Sequence, residues 1–233
     1  MTISEMHTAF KLELDKIDSL QYPSFSTTEI DYWLNRGIKK FAKTRYSGFN
    51  PKKEGFEQTQ KRIDDLRTLV REVTVPCTTT GATKTNGYVL TTGFSNAVFT
   101  AAPYWLSLGE EVSITPSGGS ATRVGVTEVT ADTYRFEIDN PYSSYILHYD
   151  SAKPLRLFYN NTIEFISDGN YTVNNAYIRY LKEPTEVDYG TATDCDLPDH
   201  THDEIVSTAV ALVLENIEQP RYNSYSQENT MME

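Results

Sequence analysis

The sequence predicts an α+β fold in which a helical bundle is interrupted by an inserted antiparallel β domain. Two changes of hydrophobic period carry this prediction. Apolar residues recur at steps of three and four up to about residue 72, then alternate in short runs to about residue 183, and a helical pattern returns near the C-terminus. We expect three N-terminal helices and one C-terminal helix in the bundle, and a β sandwich or barrel in the insertion.

These patterns divide the chain into four predicted segments. Residues 1–72 hold the N-terminal helices, and residues 73–184 hold a tyrosine-rich β domain. Residues 185–219 hold an acidic loop and the closing helix, and residues 220–233 form a polar tail. The closing helix is apolar over more than half its circumference, so it must be buried on several sides. We expect it to pack on the N-terminal helices, which makes the β domain an insertion.

The helices are predicted over residues 3–20, from a Ser26 or Thr27 cap to about Tyr46, and over residues 54–71. A capping box at Thr201 and Glu204 begins the closing helix. The apolar positions are Ile3, Met6, Phe10, Leu14, Ile17 and Leu20 in the first helix; Ile30, Trp33, Leu34, Ile38, Phe41 and Ala42 in the second; Phe56, Ile63, Leu66, Leu69 and Val70 in the third; and Ile205, Val206, Ala209, Val210, Leu212, Val213, Leu214 and Ile217 in the last.

The middle of the chain predicts a series of short strands separated by turn residues. Two turns are evident, at Asn160-Asn161 and at residues 117–120. The strands are expected at residues 72–78, 87–91, 105–108, 111–115, 122–129, 133–138, 155–159, 162–166 and 176–182.

Charge is distributed unevenly over the 233 residues, whose net charge is -11. Residues 1–72 carry 13 Lys and Arg against 11 Asp and Glu, whereas residues 73–233 carry 8 against 21. Nucleic acid should therefore be repelled by most of the surface. No apolar run is long enough to cross a bilayer, and the N-terminus lacks the features of a signal peptide, so we expect synthesis in the cytoplasm and no membrane contact.

No motif for covalent, phosphate-binding or metal-dependent catalysis is present, and we predict no catalytic residue, no metal site and no cofactor. The acidic residues around His200 and His202 are interpreted as a helix N-terminus, because a spacing of two does not place both imidazoles on one helix face. Cys195 lies among carboxylates that raise the pKa of a thiol. A carboxylate pair assembled across strands stays open, which leaves an uncharacterised hydrolase as one alternative.

A row of basic residues follows one side of the second helix, and no acidic residue occurs from Tyr32 to Lys53. The row is either a solvated face balanced by neighbouring acids or a docking face for an acidic protein partner, with nucleic acid as a third candidate. Together with tail residues, the row gives the predicted partner-binding set: Arg36, Lys39, Lys40, Lys43, Arg45, Pro220, Arg221, Tyr222 and Tyr225.

Tyrosine is abundant, with 16 residues, 11 of them between Tyr88 and Tyr189. Tyrosine is enriched at interfaces and is also a good strand former. The composition leaves three interpretations open: an interface, ordinary strand packing, and a carbohydrate-binding β module.

Three stretches resemble neck proteins of tailed bacteriophages, in particular the ring or adaptor proteins of podovirus-like and crAss-like phages. They are TEIDYWLNRGIKKF at residues 28–41, YIRYLKEP at residues 177–184, and LPDHTHDEIV at residues 197–206. The first is similar to the second-helix motif of that family, the second to its last strand, and the third to its C-terminal element.

The resemblance implies a structural virion protein of the neck, made in the host bacterial cytoplasm. It implies a homo-oligomeric ring of 12 copies beneath the portal, a head–tail connector that joins capsid to tail and surrounds the DNA exit channel without sequence-specific binding. The implied partners are the portal protein and downstream tail or ring proteins, with the C-terminal tail ordering against the portal or a neighbouring subunit. The inserted β domain is large for the simplest adaptors, which leaves open whether the ring is the first or a later one.

Overall fold

The computed structural model describes residues 1–17, 25–47, 57, 59–91, 93–95, 97–148 and 151–216. The chain forms two compact units. The helical unit comprises Met1–Leu69 and Pro184–Glu233, and the barrel unit comprises Val70–Glu183. The predicted α+β fold class is confirmed.

Helices α1, α2, α3 and α6 belong to the helical unit, whereas the short α4 and α5 belong to the barrel unit. A 3₁₀ turn, Arg67–Leu69, continues α3, and another, Asp199–Thr201, precedes α6. The bounds are α1 Ile3–Ile17, α2 Thr27–Ser47, α3 Gln60–Leu66, α4 Ala97–Thr100, α5 Tyr134–Ile138 and α6 His202–Asn216.

The first two helices begin with reciprocal capping boxes. The Thr2 amide donates to Glu5 Oε2 at 2.8 Å, and the Glu5 amide donates to Thr2 Oγ1 at 3.4 Å. Ser26 and Glu29 repeat the arrangement, at 2.7 and 3.4 Å, one residue before α2. Each box satisfies two backbone N–H groups that have no partner inside the helix, which fixes where the helix starts.

The apolar faces predicted for α1 and α2 lie in the core of the helical unit, with Trp33 only half-buried. The positions predicted at Ile17 and Leu20, and the predicted start of the third helix before residue 57, lie outside the described side chains. Buried residues of α1 and α2 are Ile3, Met6, Phe10 and Leu14, and Ile30, Leu34, Ile38, Phe41 and Ala42.

Helix α6 packs against α1 and α2, as its broad apolar surface predicts. Gly37 of α2 lies close against α6. A β-carbon added there would lie 3.0 Å from Ala209 Cβ and 3.1 Å from the Ile205 carbonyl oxygen. These separations are tighter than most β-carbon contacts, so a larger residue at position 37 would push the two helices apart.

The capping box predicted at the start of α6 is wrong. The Thr201 hydroxyl donates to the Pro198 carbonyl at 2.8 Å, inside the 3₁₀ turn. Glu204 instead pairs with Arg45. The Glu204 side chain therefore forms an ion pair with a distant residue instead of capping the helix in which it lies.

The barrel unit contains eight described strands in the order β4-β3-β8-β1-β2-β7-β6-β5, antiparallel except for the β5–β6 pair. Its main core lies between β1, β3, β7 and β8, and a smaller cluster surrounds Leu155 and Ile166. The bounds are β1 Val70–Thr78, β2 Gly87–Leu90, β3 Tyr104–Pro116, β4 Thr122–Gly125, β5 Thr127–Glu128, β6 Leu155–Tyr159, β7 Thr162–Ile166 and β8 Tyr171–Lys182.

The sheet curls into a nearly closed barrel. Its two edge strands, β4 and β5, are separated in the chain by Val126 alone, so the two edges of the sheet must meet there. The barrel is also crossed by an ion pair. Four strands lie between β3, which carries Glu110, and β6, which carries Arg156, yet Arg156 Nε lies 3.2 Å from Glu110 Oε2.

Several predicted strands differ from the structure. The pair predicted at residues 105–108 and 111–115 is the single strand β3, in which a bulge shifts the register between Ser107 and Gly109. The strand predicted at 122–129 is divided at Val126, where the chain passes from one sheet edge to the other.

The strand predicted at residues 133–138 is wrong, because this segment is helix α5. An alternating pattern would place Tyr134, Phe136 and Ile138 on one face. In the structure Tyr134 and Ile138 pack on the cluster around Leu155, whereas Phe136 is 76% exposed. A spacing of four, not two, therefore matches the buried surface.

We expect Gly37→Val to lower the free energy of unfolding of the helical unit by about 1–3 kcal/mol, because the new side chain would overpack the α2–α6 contact. Gly125→Val is the control, since nothing lies within 4 Å of a β-carbon at that position. Urea unfolding followed by far-UV circular dichroism measures both. An unchanged midpoint for Gly37→Val would contradict the close helix approach.

Candidate functional site

The basic row predicted on the second helix lines one groove of the helical unit. Steps of three and four place the side chains along one side of α2, and Leu212 of α6 contributes an apolar residue. The groove has a volume of about 530 Å³. We call it the basic groove; it is lined by Arg36, Lys39, Lys40, Lys43, Thr44, Ser47 and Leu212.

Local contacts position the cations of the basic groove differently. The Arg36 guanidinium lies 5.3 Å from the centre of the Trp33 ring and 5.8 Å from that of Tyr32. Lys39 Nζ lies 2.9 Å from Glu186 Oε1 in a solvent-exposed pair. The Lys40 side chain is exposed and has no ion pair among the described residues. Lys40 therefore gives the groove a positive charge that is open to solvent.

Arg45 does not belong to this exposed row, although the sequence placed it there. Its side chain is buried, with Nε 2.9 Å from Asp65 Oδ2 and Nη2 paired with Glu204. The guanidinium also lies over the Phe41 ring, at 4.8 Å. Arg45 is a structural residue that joins α2 to α3 and α6, which removes it from the partner-binding set.

His200 and His202 point to different partners, which agrees with the interpretation of this segment as a helix start. His200 Nε2 lies 3.0 Å from Asp65 Oδ1, and His202 Nε2 lies 2.9 Å from the Leu197 carbonyl oxygen. In the described part of the chain, no group of three or more His, Cys, Asp or Glu side chains could hold a metal ion.

The acidic loop before α6 is held along α2 by polar contacts that the sequence did not indicate. Asn35 Nδ2 donates to the Val187 carbonyl at 3.0 Å, and the Val187 amide donates to Asn35 Oδ1 at 2.9 Å. One turn earlier, Asp31 accepts from the Tyr189 amide and lies 2.7 Å from His7 Nε2. In the sequence, these contacts were indicated only by the spacing of Asp31 and Asn35, two polar residues four apart on one helix.

The two thiols lie in environments that suppress nucleophilic chemistry. Burial raises the pKa of Cys77 to about 12. Burial, followed by the carboxylates of Asp196 and Asp194, raises the pKa of Cys195 to about 11. Both side chains are protonated at neutral pH, and a protonated thiol is a poor nucleophile.

The tyrosines of the barrel unit serve mainly in packing. Tyr145, Tyr171 and Tyr180 are buried, and the Tyr171 hydroxyl donates to the Tyr145 carbonyl at 2.8 Å. Tyr142 and Tyr159 are exposed. Strand packing, one of the interpretations left open by the composition, accounts for the buried residues.

The remaining predicted partner-binding residues, Pro220, Arg221, Tyr222 and Tyr225, lie outside the described residues. No helix within the described ranges has the length and apolarity needed to span a membrane.

Comparison with known proteins assigns the chain to a family. The family model described as phage tail ring protein 3/4, of the crAss ring type, matches residues 1–223. The chain belongs to this family. The resemblance to crAss-like ring proteins is thereby confirmed. No curated protein matches the chain.

Membership in the ring 3/4 family makes this chain a structural protein of a phage tail ring, and hence a component of the virion that assembles with other ring or tail proteins. The basic groove lies within the matched region, as does α6. The groove is accordingly a candidate surface for contact within that assembly.

We expect Arg45→Met to lower the free energy of unfolding by about 3–5 kcal/mol, because it leaves the buried Asp65 carboxylate without its cation. Lys40→Met on the same helix should change it by less than about 0.5 kcal/mol. Chemical denaturation of the two variants tests the difference. Adding Asp65→Asn and Glu204→Gln to Arg45→Met should recover part of the loss, and equal effects at positions 45 and 40 would refute the buried pairing.

Proposed function

We propose that the chain forms a homo-oligomeric ring of 12 copies in the head–tail connector, beneath the portal, where it joins capsid to tail and surrounds the DNA exit channel. The observation that carries the proposal is the family match over residues 1–223, which leaves only the last ten residues outside. The helical unit would provide ring contacts, and the barrel unit would provide contacts with the next component of the tail.

The negative net charge of the chain is in favour of a ring that lets DNA pass through its channel without binding it. A ring of 12 chains, each of net charge -11, repels phosphate over most of its surface. Retention of DNA would need an extended basic surface, because non-specific affinity grows with the number of phosphates neutralised. Apart from the buried Arg45, the described basic residues of α2 line a single groove instead.

The segment after α6 is proposed as the docking arm. The buried residues of α6 end at Leu214, and Glu215 and Asn216 are exposed. Pro220, Arg221, Tyr222 and Tyr225 are then available to order against the portal or a neighbouring subunit, and tyrosine and arginine are the side chains that interfaces favour.

Deleting residues 220–233 should leave the melting temperature within about 2 °C of the full chain, because no described core contact is lost. The truncated chain should nevertheless fail to enter particles. Complementation of a phage lacking this gene, followed by electron microscopy of the necks, measures incorporation. A chain with the four residues replaced by Ala separates their side chains from tail length. Normal incorporation of the truncated chain would exclude the docking arm.

Electron microscopy of isolated necks should resolve 12 copies of the chain around the DNA channel. Native mass spectrometry of the purified chain mixed with portal protein gives the same count independently. A chain that stays monomeric in the presence of the portal and neighbouring ring proteins would overturn the ring.

A further inference from the structure

The helical unit carries a second charged surface, opposite in sign to the basic groove. From Pro184 to Glu204 the sequence contains seven acidic residues and no Lys or Arg. Asp194, Asp199 and Asp203 are exposed around the start of α6. We call these three residues the acidic edge.

The acidic edge is built around helix N-termini. The Asp194 carboxylate accepts a hydrogen bond from the Ile3 amide at 2.7 Å, at the start of α1. Asp199 Oδ1 accepts a hydrogen bond from the N-terminal ammonium of Met1 at 2.8 Å, and the Asp199 side chain is nevertheless 90% exposed. This ammonium holds the pKa of Asp199 below its usual value. Asp203 lies in the first turn of α6, where the helix dipole favours a carboxylate. The three exposed carboxylates outnumber the one ammonium, so the acidic edge keeps a negative charge.

The two charged surfaces lie at different places along the same helix. Nine residues separate Asp203 of the acidic edge from Leu212 of the basic groove, which is about 14 Å at the rise of an α-helix. A rigid helix therefore keeps the two surfaces apart.

A ring of identical subunits joins two different surfaces of the same chain at every interface, so these surfaces must be complementary. We propose that the basic groove receives the acidic edge of the next copy of this chain, an inference that rests on the ring proposed above. Arg36, Lys40 and Lys43 would face Asp194, Asp199 and Asp203 of the neighbour. Leu212 gives the groove an apolar surface against which a side chain can pack.

A second copy fits the groove better than DNA does. Retention of DNA needs many phosphates to be neutralised along an extended basic surface, whereas four cations line the groove. A carboxylate-rich protein surface meets the same cations without an extended polyanion. The groove alone is smaller than a stable interface, which buries at least about 1,000 Å². The charged contact therefore sets register and partner choice within a larger interface.

Reversing the charge of the basic groove or of the acidic edge tests the proposal. Residues with a purely structural role would not give the pattern of assembly described below. The groove variant is Lys40→Glu with Lys43→Glu, and the edge variant is Asp199→Lys with Asp203→Lys. Each variant alone should lose self-association by at least about tenfold, because like charges would face each other at every interface. Mixed in equal amounts, they should form rings again, with the two variants alternating and present in equal numbers by native mass spectrometry.

Lys11→Glu with Lys61→Glu is the matched control, since both lysines are exposed and the net charge changes by the same amount as in the groove variant. This control should assemble like the unaltered chain. Thermal unfolding checks that every variant is folded. If the edge variant is unfolded, Asp199→Asn with Asp203→Asn replaces it. This neutral variant should associate more weakly than the unaltered chain, and lowering the salt concentration should not restore its association.

The outcomes separate the two proposals. Rings formed by each reversed variant alone, or a mixture that fails to assemble, would overturn the groove–edge contact and leave the ring standing. A loss of DNA retention in the groove variant, with normal assembly of the edge variant, would assign the groove to phosphate instead. An unaltered chain that forms no ring with its neck partners present would overturn both.

Discussion

The helical unit depends on the buried pairing of Arg45 with Asp65 and Glu204. One guanidinium reaches from α2 to carboxylates on α3 and α6. Leaving any of these charges buried without its partner would cost several kcal/mol, so other arrangements of the three helices are strongly disfavoured. Apolar residues could fill the same volume, but they would not select one rotation of α2. Once Arg45 points inward, the row that begins at Arg36 must lie on the outer side of the helix.

The barrel unit obeys a comparable constraint, in which topology and charge act together. Its two edge strands follow each other in the chain with one residue between them, so the sheet cannot open without breaking the pairing of β4 or β5. Glu110 and Arg156 meet across the strands that separate them, and Arg156 Nη2 also lies 2.6 Å from Glu128. Both edge strands are short, with four residues in β4 and two in β5, and short edge strands offer few backbone groups for pairing with other chains.

Sequence patterns predicted the elements whose burial follows a single period. The apolar faces of α1, α2 and α6 and the bounds of β6 and β7 follow directly from spacing, and the Asn160-Asn161 turn has the positive φ values such a hairpin requires. The failures share a cause: a distant residue decided the local structure. Glu204 left its capping box for Arg45, Phe136 is exposed because α5 packs through Tyr134 and Ile138, and Arg45 looked like one more surface cation. No pattern within a single helix reports a partner that lies 159 residues away.

Closure explains how modest charged contacts can hold a ring. An exposed ion pair is worth about 1 kcal/mol or less, and salt weakens it further. Such contacts would not hold an isolated dimer. In a closed ring each copy contacts two neighbours. Removing one copy therefore breaks two interfaces at once, and the free-energy costs of the two add. The proposed groove–edge contact would also reject mismatched neighbours, because a groove facing a groove or an edge facing an edge brings like charges together. The distribution of charge would then determine which partner is accepted, and closure of the ring would determine when the assembly is complete.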